Sequence, residues 1–291
     1  MAKRKNIPHG MPDYSALINP TITALQVLGG SGKIDEIYNE VLKILSLPDE
    51  IVDFQHSEKS SQSELQYRLA WARIYLKNYG IIENSSRGVW VILPQYKDIK
   101  SVDVDDCVAK VKSMFGNKSV DATQNDDGLE NEGIDLPEEI KPWRTKLHDI
   151  LLNMDPFAFE RLTQRLLREC GFSQVEVTKK SGDGGIDGFG KLMINGLFSF
   201  KVAFQCKRYS GMVPASDIRD FRGSLTTDVE KALFITTGSF SKPAKEEAAT
   251  QGKIQIDLID GEEFMNRLAD FQIGIKPITD YDIDEAYYAQ V

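Results

Sequence analysis

A stretch of 19 residues without a lysine or arginine, residues 121–139, divides the chain. It holds eight Asp and Glu side chains, and a segment with so much charge of one sign cannot bury a core. The stretch therefore predicts a linker between two folded parts, which the length of 291 residues also favours. We expect an N-terminal domain over 1–97, a linker with a short helix over 98–141, a second domain over 142–276 and an acidic tail over 277–291.

The overall charge depends on these acidic segments. The chain has a net charge of −9, and four more acids lie in the tail, at Asp280, Asp282, Asp284 and Glu285. Setting aside these twelve acids changes the net charge from −9 to +3, so the folded parts are mildly basic and compatible with nucleic-acid binding. Two interpretations of the acidic segments stay open: solvated flexible chain, or anionic segments that compete with phosphates for basic surfaces.

Several protein classes are disfavoured by what the sequence lacks. No apolar run approaches the roughly 18 residues of a membrane span, and the basic start is followed by Pro8 and Pro12 rather than an apolar signal segment. We therefore expect a cytoplasmic protein. The three cysteines have no CxxC spacing and there are three histidines, which argues against a disulfide framework and a zinc cluster. A catalyst in this chain would have to use carboxylates, amides and lysines.

The N-terminal part has the pattern of three helices followed by a hairpin. Apolar residues recur at helical spacing over 14–28, 34–45 and 61–80, and residues 81–93 read as two strands around a turn. This order predicts a winged helix, whose third helix would enter the DNA major groove. The predicted DNA contacts lie along one line of that helix and on the wing: Gln62, Gln66, Arg73, Lys77 and Arg87. A winged helix used for dimerisation or docking is the alternative.

The second part predicts an α/β domain. Its elements follow the order αββαβαβ, with a helix over 156–171, a long strand over 198–209 and a short apolar strand over 232–236. This order is typical of a mixed sheet with helices on both faces. Because strand side chains alternate, Gln205 and Lys207 share the face opposite the apolar residues of the long strand. A lysine beside an amide predicts an anionic partner, and the glycine-rich turn before this strand offers Asp187.

Three motifs of this part resemble the Mrr-type restriction endonucleases of the PD-(D/E)XK nuclease superfamily. They are GDGGIDG at 182–188, QCKRY at 205–209 and FITTG at 234–238. The segments LAWAR at 69–73 and GVW at 88–90 resemble the winged-helix domain that such proteins carry. The resemblance implies an N-terminal winged-helix domain and a C-terminal restriction-endonuclease-like α/β domain, with a mixed sheet flanked by helices.

The resemblance also implies roles for five residues. Asp187 resembles the aspartate that binds a divalent cation, expected to be Mg²⁺. Gln205 stands where many superfamily members have Glu, and Cys206 would offer its backbone carbonyl as a further ligand. Lys207 resembles the lysine that orients or deprotonates the attacking water and stabilises charge on the phosphorane. Glu160 resembles the acid of the first helix, which can reach the metal or its water.

The function implied is a prokaryotic restriction endonuclease that cleaves double-stranded DNA, with methylated adenine or cytosine as the licensing mark. Arg208 is a candidate contact to the DNA backbone. Cutting both strands requires two active sites, so we expect a homodimer or a higher homo-oligomer. Two alternatives stay open: a DNA-binding regulator with an inactive nuclease fold, and a repair or junction nuclease with the same core.

Overall fold

The computed structural model describes residues 7–56, 61–86, 88–114, 142–177, 185–194 and 197–278. Within these ranges, no helix combines the length and the apolar character that crossing a membrane requires. The buried apolar side chains form one core between residues 17 and 111 and two further clusters between residues 151 and 273.

The N-terminal part is a winged helix, as predicted. Its elements are α1 (Ile18–Val27), β1 (Ser31–Lys33), α2 (Ile34–Leu45), α3 (Asp49–Val52), α4 (Glu64–Tyr79), β2 (Ile82–Ser86), β3 (Val89–Ile92) and α5 (Val104–Met114). The three strands form an antiparallel sheet in the order β1–β3–β2. Helix α4 begins at a capping box, in which Ser63 Oγ accepts the Gln66 N–H and Gln66 Oε1 accepts the Ser63 N–H. It ends at Gly80, whose φ of +90° suits glycine.

Helix α5 belongs to the same core, so the N-terminal part extends beyond the expected boundary at residue 97. Cys107 and Val111 of α5 are buried in one cluster with Trp71 and Leu76 of α4. The predicted short helix is therefore present, but it packs against α4 instead of lying in a linker. The acidic stretch and the tail from residue 279 onward lie outside the described residues.

The C-terminal part is built on a mixed five-stranded sheet. Its helices are α6 (Pro142–Asn153), α7 (Pro156–Glu169), α8 (Ala215–Ser224), α9 (Lys242–Ala248) and α10 (Gly261–Asp270). Its strands are β4 (Phe172–Val177), β5 (Gly188–Ile194), β6 (Phe198–Lys207), β7 (Met212–Val213), β8 (Lys231–Thr236), β9 (Ser239–Phe240) and β10 (Ile256–Ile259). The strand order is β10–β8–β6–β5–β4. Strands β10, β8 and β6 are parallel, and β5 is antiparallel to both of its neighbours, β6 and β4. Strands β7 and β9 form a separate parallel pair.

Helices cover both faces of the five-stranded sheet, which confirms the predicted fold class. Val202 and Phe204 of β6 pack on one face with residues of α6, α7 and α10. Ala203 packs on the other face with residues of α8 and α9. The side chains of β6 thus alternate between two cores, as the sequence pattern predicts.

Several elements of this part lie outside the predicted order, among them β5 and α10. The glycines of β5 weaken the sequence signal for a strand, yet they are needed where the sheet is crowded. A Cβ built on Gly188 would lie 2.3 Å from the Glu176 carbonyl oxygen and 2.5 Å from Phe204 Cζ. Strand β5 pairs with β6, the central strand of the sheet. Asp187, the residue directly before β5, therefore lies beside the end of β6.

The two parts of the chain touch through the segment that precedes α4. Ser61 Oγ donates to Glu262 Oε1 of α10 at 2.5 Å, and Gln55 Nε2 donates to Ser239 Oγ of β9 at 3.1 Å. Lys242 Nζ contacts Asp49 Oδ1 at 2.6 Å. The winged helix therefore docks beside the carboxyl ends of β8 and β10, the sheet end at which Lys207 of β6 also lies.

Candidate active site

Asp187 lies immediately before β5 and faces the end of β6. Its backbone N–H donates to the Phe204 carbonyl at 3.0 Å, which continues the β5–β6 pairing. Its carboxylate Oδ2 accepts the Cys206 N–H at 2.6 Å. This hydrogen bond fixes the carboxylate beside the residue that separates Gln205 from Lys207, so the three predicted site residues are brought together.

Gln205 presents a buried amide at this position. The residue is 6% exposed, and its Oε1 is buried without a hydrogen-bond donor. Gly185 packs directly on the amide: it has a φ of +103°, and a Cβ built on it would lie 2.4 Å from Gln205 Nε2. The left-handed backbone favours glycine at 185, and a side chain there would have to displace the amide end of Gln205. The neighbouring motif residues 182–184 lie outside the described residues.

Lys207 ends β6 on the face covered by α8. Its Nζ donates to Asp217 Oδ2 at 2.9 Å, and its side chain is 37% exposed. Asp217 lies in the first turn of α8 and was not singled out from the sequence. An acid in the first turn of the helix that follows the lysine strand is the one signal that could have identified it.

The electrostatics of the site connect Asp187 with two further charges. Burial raises the pKa of Asp187 to about 6, although the hydrogen bond from the Cys206 N–H lowers it. The negative charge of Glu160 also raises this pKa, and the positive charge of Lys207 lowers it. Glu160 is half-buried on α7, a helix that starts where Asp155 caps the Ala158 N–H. Glu160 is therefore close enough to act electrostatically on Asp187.

The donor set fits a hard divalent cation. The carboxylate of Asp187 and the donor-free Oε1 of Gln205 are oxygen ligands of the type that Mg²⁺ prefers. Burial raises the pKa of the half-buried Cys206 thiol well above its usual value, so the thiol stays protonated and is a poor ligand for a hard ion. The backbone carbonyl is then the oxygen that Cys206 could offer. Across the described ranges, no three His, Cys, Asp or Glu side chains form a metal-binding group. The proposed set of metal ligands therefore depends on the Gln205 amide and the Cys206 backbone carbonyl in addition to the Asp187 carboxylate.

Two family models match the chain. A model described as a restriction endonuclease matches residues 151–268, and a model of the Mrr N-terminal domain matches residues 14–100. Together they cover more than two thirds of the chain. The chain belongs to the Mrr-type restriction endonuclease family.

A curated relative matches almost the whole of this Mrr-type chain. The type IV methyl-directed restriction enzyme EcoKMrr of Escherichia coli (strain K12) is 24% identical over 295 residues, which span 91% of this chain and 94% of the relative.

Two solved structures show a distant likeness. The DNA modification-dependent restriction endonuclease AspBHI has a TM-score of 0.41 at 16% identity, over 67% of this chain and 58% of its own. The MspJI restriction endonuclease, solved in complex with a 27-mer oligonucleotide, has a TM-score of 0.37 at 16% identity, over 62% of this chain and 47% of its own. The Mrr-type chain thus spans about half the length of these two structures.

The expected DNA-reading face of α4 is not exposed in this Mrr-type structure. Arg73 is 1% exposed, with its Cζ 5.7 Å from the centre of the Trp90 ring. Gln62 is buried as well, and the side chain of Gln66 is used in the capping box. Gln62 precedes α4, which begins at Glu64, so it does not lie on the helical line that the sequence predicts.

The other predicted DNA contacts are distributed differently. Lys77 is half-buried near the end of α4. Arg208 Nη1 donates to the Leu152 carbonyl of α6 at 2.6 Å, so this guanidinium links two elements of the C-terminal part. Arg87 lies outside the described residues.

Proposed function

We propose that this Mrr-type restriction endonuclease hydrolyses phosphodiester bonds of double-stranded DNA with a divalent cation. The observation that carries the proposal is the buried Gln205 Oε1, which has no hydrogen-bond donor. It lies at the end of β6, where the Asp187 carboxylate accepts the N–H of the next residue, Cys206, and Lys207 follows. A buried acceptor without a donor is costly unless a ligand satisfies it. A cation bound by these oxygens would satisfy the acceptor, and Mg²⁺ is the candidate.

Each residue of the site would have a distinct task. Asp187, Gln205 and the Cys206 carbonyl would hold the ion, which when bound supplies charge to offset the nonbridging oxygens of the phosphate. Lys207 would orient the attacking water and stabilise the negative charge that develops on phosphorus-bound oxygens. Glu160 would complete the site from α7, through the ion or its water.

The substrate and assembly belong to the same proposal. The relative EcoKMrr is described as methyl-directed, which supports methylated adenine or cytosine as the mark that licenses cleavage. Since one site cuts one strand, double-strand cleavage requires two copies, and we expect a homodimer or larger homo-oligomer.

Cleavage of supercoiled plasmid tests this proposal. The substrates are adenine-methylated, cytosine-methylated and unmethylated DNA, each with Mg²⁺ or with a chelator. We expect cleavage of a methylated plasmid in Mg²⁺ alone. Lys207→Ala and Asp187→Asn should lower the rate at least about 10²-fold, whereas Lys201→Ala, on the same strand but paired with Asp228, should cleave normally. Normal cleavage by either site variant would refute the assignment, and cleavage insensitive to methylation would remove only the licensing mark.

A further inference from the structure

Lys207 lies in an open position for a side chain that must be placed accurately. It is the last residue of β6, and its side chain is 37% exposed. A lysine side chain loses much rotamer entropy when it is held in one conformation, and its ammonium group has no preferred plane that would fix its orientation. A lysine used at a reacting phosphate therefore needs a second group to hold it.

Asp217 is firmly held in the fold and can serve as this second group. It lies in the first turn of α8, and its backbone N–H donates to the Pro214 carbonyl at 3.2 Å. The next residue, Ile218, is fully buried, and Phe221 one turn later is 1% exposed in the same core. The carboxylate is thus carried by a helix that is fixed to the sheet, and it contacts Lys207 Nζ at 2.9 Å.

We propose that Asp217 is a positioning residue that holds the Lys207 ammonium beside Asp187. Asp217 contacts the lysine directly, and the charge of Lys207 also acts on Asp187. The ammonium is therefore in direct contact with Asp217 and within electrostatic reach of the candidate cation-binding carboxylate. This inference rests on the role of Lys207 in the proposed function, because Asp217 acts only through that lysine.

Steady-state cleavage of methylated plasmid by Asp217→Asn tests the proposal. A displaced catalytic group of this kind costs up to about 10²-fold in rate, so we expect kcat to fall about 10-fold to 100-fold with KM unchanged. Asp217→Glu should recover part of kcat, because a carboxylate is restored on a longer side chain. Asp220→Asn is the matched control, since it removes the same charge from an exposed position of the same helix, and it should behave as the unchanged protein.

Covalent acetylation of Lys207, measured by mass spectrometry on the full chain, adds a readout that does not need turnover. Release from Asp217 should raise the labelling rate of Lys207 several-fold in Asp217→Asn and leave it unchanged in Asp220→Asn. An Asp217→Asn variant with normal kcat, or with a purely raised KM, would overturn the positioning role, as would unchanged labelling. If Lys207→Ala itself cleaves normally, the proposed function fails instead, so the two failures are distinguishable.

Discussion

A buried amide oxygen without a donor lowers stability by about 1–3 kcal/mol, and Gln205 carries one at the end of β6. Gln205→Met keeps the length of the side chain and removes both polar atoms. In a chelator we expect its free energy of unfolding to equal that of the unchanged protein or exceed it by about 1–2 kcal/mol. Plasmid cleavage should meanwhile fall at least about 10²-fold. Urea unfolding with EDTA and the cleavage assay measure the two effects.

Gln164→Met provides the comparison, because Gln164 is a half-buried glutamine of α7 with no role in the proposed site. It should change neither stability nor cleavage appreciably. A clear loss of stability in Gln205→Met would mean that the amide oxygen is hydrogen-bonded in solution, and the argument for an ion at this oxygen would fail.

Asp260 gives the molecule a pH dependence that is separate from the site. Its carboxylate caps α10 by accepting the Glu263 N–H at 2.9 Å. Burial raises its pKa to about 6; the Glu263 N–H and Lys245 lower it, and the charges of Glu262 and Glu263 raise it. The unfolded chain loses this proton near pH 4 and the folded chain near pH 6, so the contribution of Asp260 to stability falls as the pH rises across that window.

Asp260→Asn keeps a good helix cap and removes the charge. Its free energy of unfolding relative to the unchanged protein should therefore rise between pH 4 and pH 7, by about 1–3 kcal/mol. Urea unfolding across this range measures the difference. Asp155→Asn, at the exposed cap of α7, measures the effect of replacing a capping carboxylate by an amide. A difference at Asp260 that does not change with pH would contradict the prediction.

The sequence is sufficient for residues whose relation depends on one element. Alternation along β6 correctly places Gln205 and Lys207 on one face, because the period of a strand is fixed by its backbone. The partner of Lys207 could not be predicted in the same way. Asp217 reaches the lysine only after the chain has turned through residues 208–214, and no local period describes that path.

At the scale of elements, α4 shows how a correct periodicity leads to a wrong surface. The helix was expected to carry a polar line open to DNA, yet 12 of its 16 residues are buried. Arg68 pairs with Glu64 inside the structure at 2.7 Å, and α1 and α5 pack against the helix. Wheel arithmetic gives the angle of a side chain about its own axis, whereas its exposure depends on elements far away in the chain.

Strand β5 can be tested with a pair of glycine substitutions. Gly188→Ala places a methyl group against the Glu176 carbonyl and the Phe204 ring, and such overpacking should cost about 3 kcal/mol. Gly223→Ala adds a methyl group in α8, where no other atom lies within 4 Å. It should stabilise the protein by about 0.5–1 kcal/mol, because alanine is the better helix former. Thermal unfolding of both variants decides the point, and equal effects would contradict the crowding at β5.

At the scale of the whole molecule, the winged helix and the nuclease part are joined by contacts of unequal strength. The acidic stretch predicts two folded parts, but their docking is formed by side chains scattered from Asp49 to Glu262 and could not be predicted. Lys242 and Asp49 are about half exposed, 46% and 56%, and such ion pairs contribute about 0–1 kcal/mol. Arg144 is only 4% exposed where it contacts Glu262 at 3.0 Å. Glu262 also accepts from Ser61, so this carboxylate joins α6, α10 and the winged helix.

Glu262→Ala should therefore be far more damaging than Lys242→Ala. It leaves a buried guanidinium with Asn266 as its remaining side-chain acceptor, and removing one partner of a buried ion pair costs about 3–5 kcal/mol. Ser61→Ala removes only the contact to the winged helix and should cost about 1 kcal/mol. The double variant Arg144→Met with Glu262→Met should be more stable than Glu262→Ala, since no buried charge is left unpaired. Urea unfolding of the four variants gives this order; if Lys242→Ala proved as costly as Glu262→Ala, the exposed pair would be the stronger link and the ranking by burial would be wrong.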